Sequence, residues 1–143
     1  MTISTNKPDI IVDDIYHPRV LVVEDNPTNR MLVIKVLEKW GCETDIAENG
    51  QIALDKYRKN NYDILLMDLQ MPVKDGYETT KSIRALKSGK KDVPIIAMTA
   101  HAIKGELERC MALGMNDFIS KPFNVTELHE KIYALLKVDL HEV

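Results

Sequence analysis

Five side chains with chemistry in them stand at the ends of short apolar runs. Glu24 and Asp25 follow VLVV, Asp68 follows ILLM, Thr99 follows PIIAM, and Lys121 follows DFIS. An acid at the end of a buried run is costly unless a metal, a cation or a reaction accounts for it. Three carboxylates brought within a few ångströms repel one another. Raised pKa values or a solvated rim would relieve them, and so would a hard divalent cation. Mg²⁺ accepts one or two carboxylates, keeps several waters and leaves positions for phosphoryl oxygens, and Mn²⁺ takes the same oxygen ligands. Beside such an ion Asp68 is a competent nucleophile, because a carboxylate attacks a phosphoryl group to give an acyl phosphate. That transfer asks for positioning and positive charge more than for covalent help. The cation would take one phosphoryl oxygen, the Thr99 hydroxyl a second and the Lys121 ammonium a third. Alone, the threonine would read as a turn residue and the lysine as a solvated charge. Their coincidence with the acids is what points to chemistry.

The elements that must position these residues are legible from the apolar pattern. Residues 20–23 form an unbroken, β-branched run of the kind found in parallel sheets covered on both faces. Asn26 then reads as an N-cap and Pro27 as the first helical residue, with Leu32, Val33, Val36, Leu37 and Trp40 on one side and Gly41 as the C-cap. The cycle repeats. A second strand is expected over 43–47, then a helix after Asn49-Gly50 that carries Ile52, Ala53 and Tyr57. A third strand is expected over 63–68 and a third helix over 76–86. After a polar loop at 88–92 come a strand over 94–98, a helix over 104–113 closed by Gly114, a strand over 117–120 and a helix over 124–137. In that last helix Asn124 and Glu127 approximate a capping box, and Leu128, Ile132, Leu135 and Leu136 form the inward stripe. Five strands alternating with five helices predict an α/β doubly wound parallel sheet. Ligands of such folds sit outside the carboxyl ends of the strands, where the five side chains fall.

Composition narrows the field. The 143 residues carry a net charge of −3, and no long Lys/Arg run offers a footprint for nucleic acid. No apolar stretch approaches the ~20 residues that span a bilayer. The first residues, MTISTNKPD, lack the design of a secretory signal, so a cytoplasmic location is expected. Cys42 and Cys110 then read as small buried hydrophobes. Residues 1–18 read as a tail or linker that could lay Ile10, Ile11 and Val12 on the domain, and residues 139–143 as a C-terminal tail. Competing phosphate chemistries fail at specific positions. There is no P-loop and no G-x-G-x-x-G after the first strand. Gln70 stands where a haloacid-dehalogenase-type phosphatase usually has its second aspartate, and the chain has no room for a substrate cap.

Four segments together resemble the response-regulator receiver domains of two-component signalling: VLVVEDNPTNR (20–30), LLMDLQMPVKDG (65–76), PIIAMTAHA (94–102) and DFISKPF (117–123). The resemblance covers residues 19–138 and is most similar to receivers of hybrid histidine kinases and phosphorelays. It implies the flavodoxin-like strand order 2-1-3-4-5 and Asp68 as phosphoacceptor. It further implies Mg²⁺ held by Glu24, Asp25, Asp68 and the backbone carbonyl of Gln70. Thr99 and Lys121 would contact the phosphoryl group, a cis Lys121–Pro122 peptide would aim the lysine, and Thr99 and Phe118 would form the switch pair. Many members have Tyr where Phe118 stands; the Phe ring brings no hydroxyl. Gln70 and His101, two residues beyond Asp68 and Thr99, are hypothesised to tune phosphoryl lifetime. The implied partners are a histidine kinase or a histidine phosphotransfer protein, docking at the first helix near Asn26–Arg30.

The expectation is therefore a phosphoacceptor without catalytic turnover on external substrates. With little chain after the last helix, it would signal by binding or by onward phosphotransfer. Two other readings stay open: a receiver cut from a hybrid histidine kinase, and an interaction module that works without phosphorylation.

Overall fold

The apolar runs become the five parallel strands of one sheet in the order β2-β1-β3-β4-β5. The computed structural model describes residues 16–87 and 89–137. The expectations for residues 1–15, Ser88 and 138–143 lie outside these described residues. The strands are β1 (Arg19–Val23), β2 (Glu43–Ala47), β3 (Ile64–Asp68), β4 (Ile95–Thr99) and β5 (Asp117–Ser120). Among the described residues the helices are α1 (Pro27–Lys39), α2 (Gly50–Lys59), α3 (Gly76–Arg84), α4 (Lys104–Ala112) and α5 (Val125–Leu136), with a 3₁₀ turn at Lys90–Asp92.

Strand pleating sorts the core into two halves, because successive side chains point to opposite faces. Leu21, Val23, Leu65, Met67, Ile95 and Ala97 face α2, α3 and α4 and pack with Ala53, Tyr57, Ile83 and Cys110. Val20, Val22, Ile64, Leu66, Ile96 and Met98 face α1 and α5 and pack with Val33, Leu37, Trp40, Leu128 and Ile132. Every residue of β3 and β4 is buried, as the unbroken runs require. Cys42 and Cys110 are buried free thiols.

Helix starts follow local chemistry. Asn26, Asn49, Asp75 and Asn124 each accept a hydrogen bond from the backbone N–H three residues on, at 2.9–3.0 Å. Such caps contribute about 1 kcal/mol each. The start of α4 differs: Ile103 occupies the cap position and offers no side-chain bond. Gly41 follows the end of α1 with φ +81°, the left-handed conformation that glycine adopts without strain.

Several sequence expectations need correction. Leu32 is 56% exposed, because the inward stripe of α1 is Val33, Leu37 and Trp40 and Leu32 lies roughly 100° around the helix from it. On α2 the buried apolar side chains are Ala53, Leu54 and Tyr57, and Ile52 is exposed. The third helix stops at Arg84, not at residue 86. There the guanidinium leaves the helix axis to bond the Gly114 carbonyl at 2.7 and 2.9 Å. Asp63 stands just before β3: its carboxylate accepts the Arg19 backbone N–H at 2.7 Å, and its own N–H donates to the Arg19 carbonyl at 2.8 Å. The Glu127 carboxylate lies 3.8 Å from Lys131 Nζ. The chain before β1 is already tied down: Pro18 O accepts from Glu43 N at 2.8 Å, and His17 Nδ1 lies 2.8 Å from Gly41 O.

Candidate functional site

Register brings the strand ends together. Val23 pairs with Met67, Asp68 with Met98, and Thr99 with Ser120, so the next residue on each strand projects over the same carboxyl-end rim. A cavity of about 240 Å³ opens there, lined by Glu24, Asp25, Asn26, Asn29, Asp68, Gln70, Thr99, Ala100 and Lys121. Glu24, Asp25 and Asp68 each present a carboxylate oxygen, all within 4.8 Å of one another. Glu24 and Asp68 are buried and Asp25 is exposed at the mouth.

Lys121 bridges the two buried acids. Its Nζ lies 2.8 Å from Glu24 Oε1 and 3.2 Å from Asp68 Oδ1. Asp68 Oδ1 also receives the Gln70 backbone N–H at 3.3 Å. Glu24 is held at both ends: Asn26 N donates to its Oε2 at 3.1 Å, and Arg30 Nη1 to its backbone carbonyl at 2.9 Å. Burial first and the Glu24 charge second push the Asp68 carboxyl up to about 6, with Lys121 only partly offsetting them. Burial disfavours the charge on Lys121, but the two carboxylates outweigh it and hold the ammonium above its ordinary value.

The donor set suits a hard divalent cation. Three carboxylates against one ammonium leave surplus negative charge. Glu24 Oε1, fully buried, has no hydrogen bond of good geometry although the ammonium stands nearby. With Lys121 Nζ 2.8 Å away, that oxygen already faces a cation and is of the type that ligates a hard divalent ion.

The loop after Asp68 is shaped by close approach. A Cβ on Gly76 would come 2.4 Å from the Asp68 carbonyl oxygen, so no other residue fits without moving the backbone that carries the acid. The strain falls on Val73, a β-branched residue at φ +71°, where Lys74 N bonds Pro72 O at 2.7 Å in a γ-turn. The Lys121–Pro122 peptide is cis.

Pleat parity divides the expected site. Asp68 shares parity with Ile64 and Leu66 and leans toward the α1/α5 face, with Glu24 and Lys121. Thr99 shares parity with Ile95 and Ala97 and leans the other way. It lines the same cavity, but its hydroxyl donates to Glu106 Oε1 on α4 at 2.6 Å and accepts from His101 N at 3.0 Å. The His101 ring is exposed and is not among the cavity's lining residues. Gln70 does line it. Phe118 is half-buried against the α2–α4 half of the core, with the Lys131 ammonium 4.9 Å from its ring centroid. Sequence reasoning missed Glu106, whose place in a first helical turn reads as a favourable charge on the helix dipole. It also missed the support that Arg30 gives Glu24.

A second cavity of about 200 Å³ adjoins the first and shares Asn29 and Lys121 with it. Its remaining lining is Leu32, Val36, Pro122, Phe123 and Val125, so the exposed Leu32 belongs to an apolar groove beside the acids.

A doubly wound sheet in this order, with a lysine-bridged acidic pocket over its carboxyl ends, defines a receiver-type signalling domain. Residues 20–133 match the response regulator receiver domain family, and the chain belongs to it. The family serves two-component and phosphorelay signalling. Hybrid signal transduction histidine kinase I of Dictyostelium discoideum is 42% identical over 120 residues, covering 80% of this chain and 7% of that protein. The sensor protein GacS of Pseudomonas syringae pv. syringae is 38% identical over 117 residues, covering 80% of this chain and 13% of its own length. The chain thus spans only a small part of these relatives. Among solved structures, the receiver domain of sensor histidine kinase PA1611 from Pseudomonas aeruginosa has a magnesium ion in its active-site cleft. It superposes with TM-score 0.79 at 36% identity, covering 86% of this chain and 100% of that one. A chain from the co-crystal structure of the Saccharomyces cerevisiae histidine phosphotransfer protein Ypd1 with the receiver domain of Ssk1 gives TM-score 0.75 at 31% identity, covering 82% and 87%. Among the described residues no helix is long and apolar enough to cross a membrane.

Proposed function

We propose that this chain is a cytoplasmic phosphoacceptor: Asp68 takes a phosphoryl group from a phosphohistidine on a histidine kinase or histidine phosphotransfer protein. The observation that carries the reading is Lys121 lodged between Glu24 and Asp68, with Asp25 within reach. In the transfer an Asp68 carboxylate oxygen forms a bond to phosphorus as the phosphorus–nitrogen bond breaks, its electron pair returning to the imidazole. Lys121 leaves its carboxylate partners to meet the incoming phosphoryl oxygens, and Thr99 supplies a hydroxyl from the opposite face. Mg²⁺ (Mn²⁺ in its place) would be held by Glu24, Asp25, Asp68 and the Gln70 carbonyl, and supplies charge that offsets that of the phosphoryl oxygens. Gln70 and Arg30 fix the acids that hold it, Gln70 through its amide on Asp68 and Arg30 through the Glu24 carbonyl. The chain performs no turnover on external substrates.

The apolar groove of Leu32, Val36, Pro122, Phe123 and Val125 supports docking of the phosphodonor's helix beside the acid. The receiver in the Ypd1 complex shares this fold. Gln70 lines the cavity, which supports a role for its side chain in water access to the acyl phosphate. His101, exposed and outside the cavity lining, is the weaker of the two lifetime candidates.

The test is intact-mass measurement after incubation with Mg²⁺ and acetyl phosphate. One added phosphoryl is expected, absent in Asp68→Asn and after chelation of the metal. No adduct on the parent chain refutes the acceptor, and steady hydrolysis of phosphate esters shows an enzyme instead.

A further inference from the structure

The Thr99 hydroxyl is spoken for before any phosphoryl group arrives. Thr99 is 2% exposed, and its Oγ1 donates to Glu106 Oε1 at 2.6 Å while accepting from His101 N at 3.0 Å. A hydroxyl has one proton to give. It cannot donate to a carboxylate on α4 and to a phosphoryl oxygen on Asp68 together.

Glu106 also occupies a particular place in the fold. It lies in the first turn of α4, the one helix among the five that starts without a side-chain cap. That helix buries a single residue, Cys110, fewer than any other. The bond from Thr99 ties this helical turn to the end of β4, while Tyr77 contacts Glu106 from the α3 side. Next to it Ile103 is 66% exposed. On the outer side Glu106 shares an open cleft with Tyr77 and Arg109, and the Arg109 guanidinium lies 3.8 Å from the Tyr77 ring centroid. A carboxylate released by Thr99 has a cation and solvent within that cleft.

We infer that Glu106 is a positioning residue that competes with the phosphoryl group for the Thr99 hydroxyl. It thereby sets how firmly the phosphorylated state is held and whether the first turn of α4 stays tied to the sheet. The inference rests on the reading of Asp68 as acceptor. It also gives a route for the change that does not depend on a hydroxyl at Phe118. When Thr99 turns to the phosphoryl group, Glu106 loses one of its two donors, Tyr77 being the other, and the tie between the uncapped turn and β4 is broken. The reader of phosphorylation then meets an altered α4 start.

The test is titration of the full chain with beryllium fluoride in Mg²⁺, followed by calorimetry, in the parent, Glu106→Ala, Glu106→Gln, Thr99→Val and the Thr99→Val/Glu106→Ala double variant. Removing the competitor tightens beryllium fluoride binding by roughly tenfold, the worth of one charge-assisted hydrogen bond whose carboxylate regains water. Glu106→Gln, which keeps the shape and a weaker acceptor, tightens it by less. In the Thr99→Val background the Glu106→Ala change has no effect. Equal tightening in both backgrounds marks a purely structural role and overturns the proposal. Unchanged or weaker binding in Glu106→Ala and Glu106→Gln overturns it as well. If the parent itself binds no beryllium fluoride and takes no phosphoryl from acetyl phosphate, the acceptor reading falls and this one with it. A parent that binds normally leaves the acceptor reading standing, so that a failure in the variants counts against Glu106 alone. Amide chemical shifts of Ile103 and the first turn of α4 provide the second readout. In Glu106→Ala without beryllium fluoride they move toward the bound positions of the parent, and shifts that stay at the free positions count against the inference.

Discussion

Replacing Asp68 by asparagine should stabilise the metal-free protein. The residue is only 5% exposed, and burial together with the Glu24 charge lifts its carboxyl from an ordinary 3.8 to about 6. Lys121 at 3.2 Å and the Gln70 amide at 3.3 Å do not compensate. The folded state therefore holds this proton more tightly than the unfolded chain does. Its contribution to stability is fully present below about pH 4 and is lost as pH rises through about 6. At ~1.4 kcal/mol per pKa unit the ceiling is about 3 kcal/mol. Solvent entering the open cavity reduces this to roughly 1–2 kcal/mol. An asparagine at this position would have nearly the same shape and no charge to bury, so at neutral pH Asp68→Asn gains about that amount and loses the slope between about pH 4 and 6. Urea unfolding in EDTA across that range measures both. Mg²⁺ should then raise the stability of the parent, by about 1.4 kcal/mol at tenfold excess over its dissociation constant, and act much less on the variant. An Asp68→Asn protein no more stable than the parent at neutral pH without metal would refute the electrostatic account of the pocket.

Two further substitutions test neighbouring parts of the pocket. Lys121→Met removes the cation between Glu24 and Asp68 and should cost roughly 3 kcal/mol in EDTA, because two buried acids then face each other uncompensated. Mg²⁺ should restore more of the loss than it adds to the parent, read from the same unfolding curves; equal metal effects would count against the carboxylates as its ligands. Gly76→Ala should cost about 1–3 kcal/mol and slow phosphoryl uptake from acetyl phosphate, since its Cβ meets the Asp68 carbonyl at 2.4 Å and Leu69 Cα at 3.0 Å, both backbone atoms. Parental stability and uptake rate in Gly76→Ala would remove the close-approach explanation.

The strands and the acidic rim were legible because both follow from short-range rules. An unbroken β-branched run such as VLVV has no polar face to offer solvent, so it must be an inner strand, and its next residue must reach the carboxyl-end rim. Asparagine before Pro27 and before Gly50 names a helix start by its own hydrogen bond. What stayed hidden depends on where distant elements settle. Leu32 belongs to an apolar stripe by spacing, yet one helical position decides between core and groove. Glu106 reads locally as a charge on a helix dipole, and only the seating of α4 against β4 makes it the partner of Thr99. Gly76 reads as the start of a helix, but the left-handed backbone of the preceding loop is at Val73, and the glycine is required by the nearness of Asp68. His101 follows the site threonine in sequence and still points outward.

The parity of the pleat carries a consequence for how such a site works. Asp68 and Lys121 lean to the α1/α5 face and Thr99 to the α2–α4 face, so no single face of the sheet holds all the groups that a phosphoryl oxygen would meet. Before phosphorylation each side satisfies itself: Lys121 bridges two acids, and Thr99 donates to Glu106. A phosphoryl group on Asp68 stands at the rim between them and presents oxygens to both sides. Binding it then requires two exchanges, the lysine giving up carboxylate oxygens and the threonine giving up Glu106. The first exchange stays within the cavity, and it withdraws from Glu24 and Asp68 the ammonium that partly offsets their charges. The second breaks a bond that reaches α4, so its effect passes to that helix. Stability of the pocket and output from it are therefore separable: Asp68→Asn should change the first while leaving the Thr99–Glu106 bond in place, and Glu106→Ala should change the second while leaving the Lys121 bridge intact.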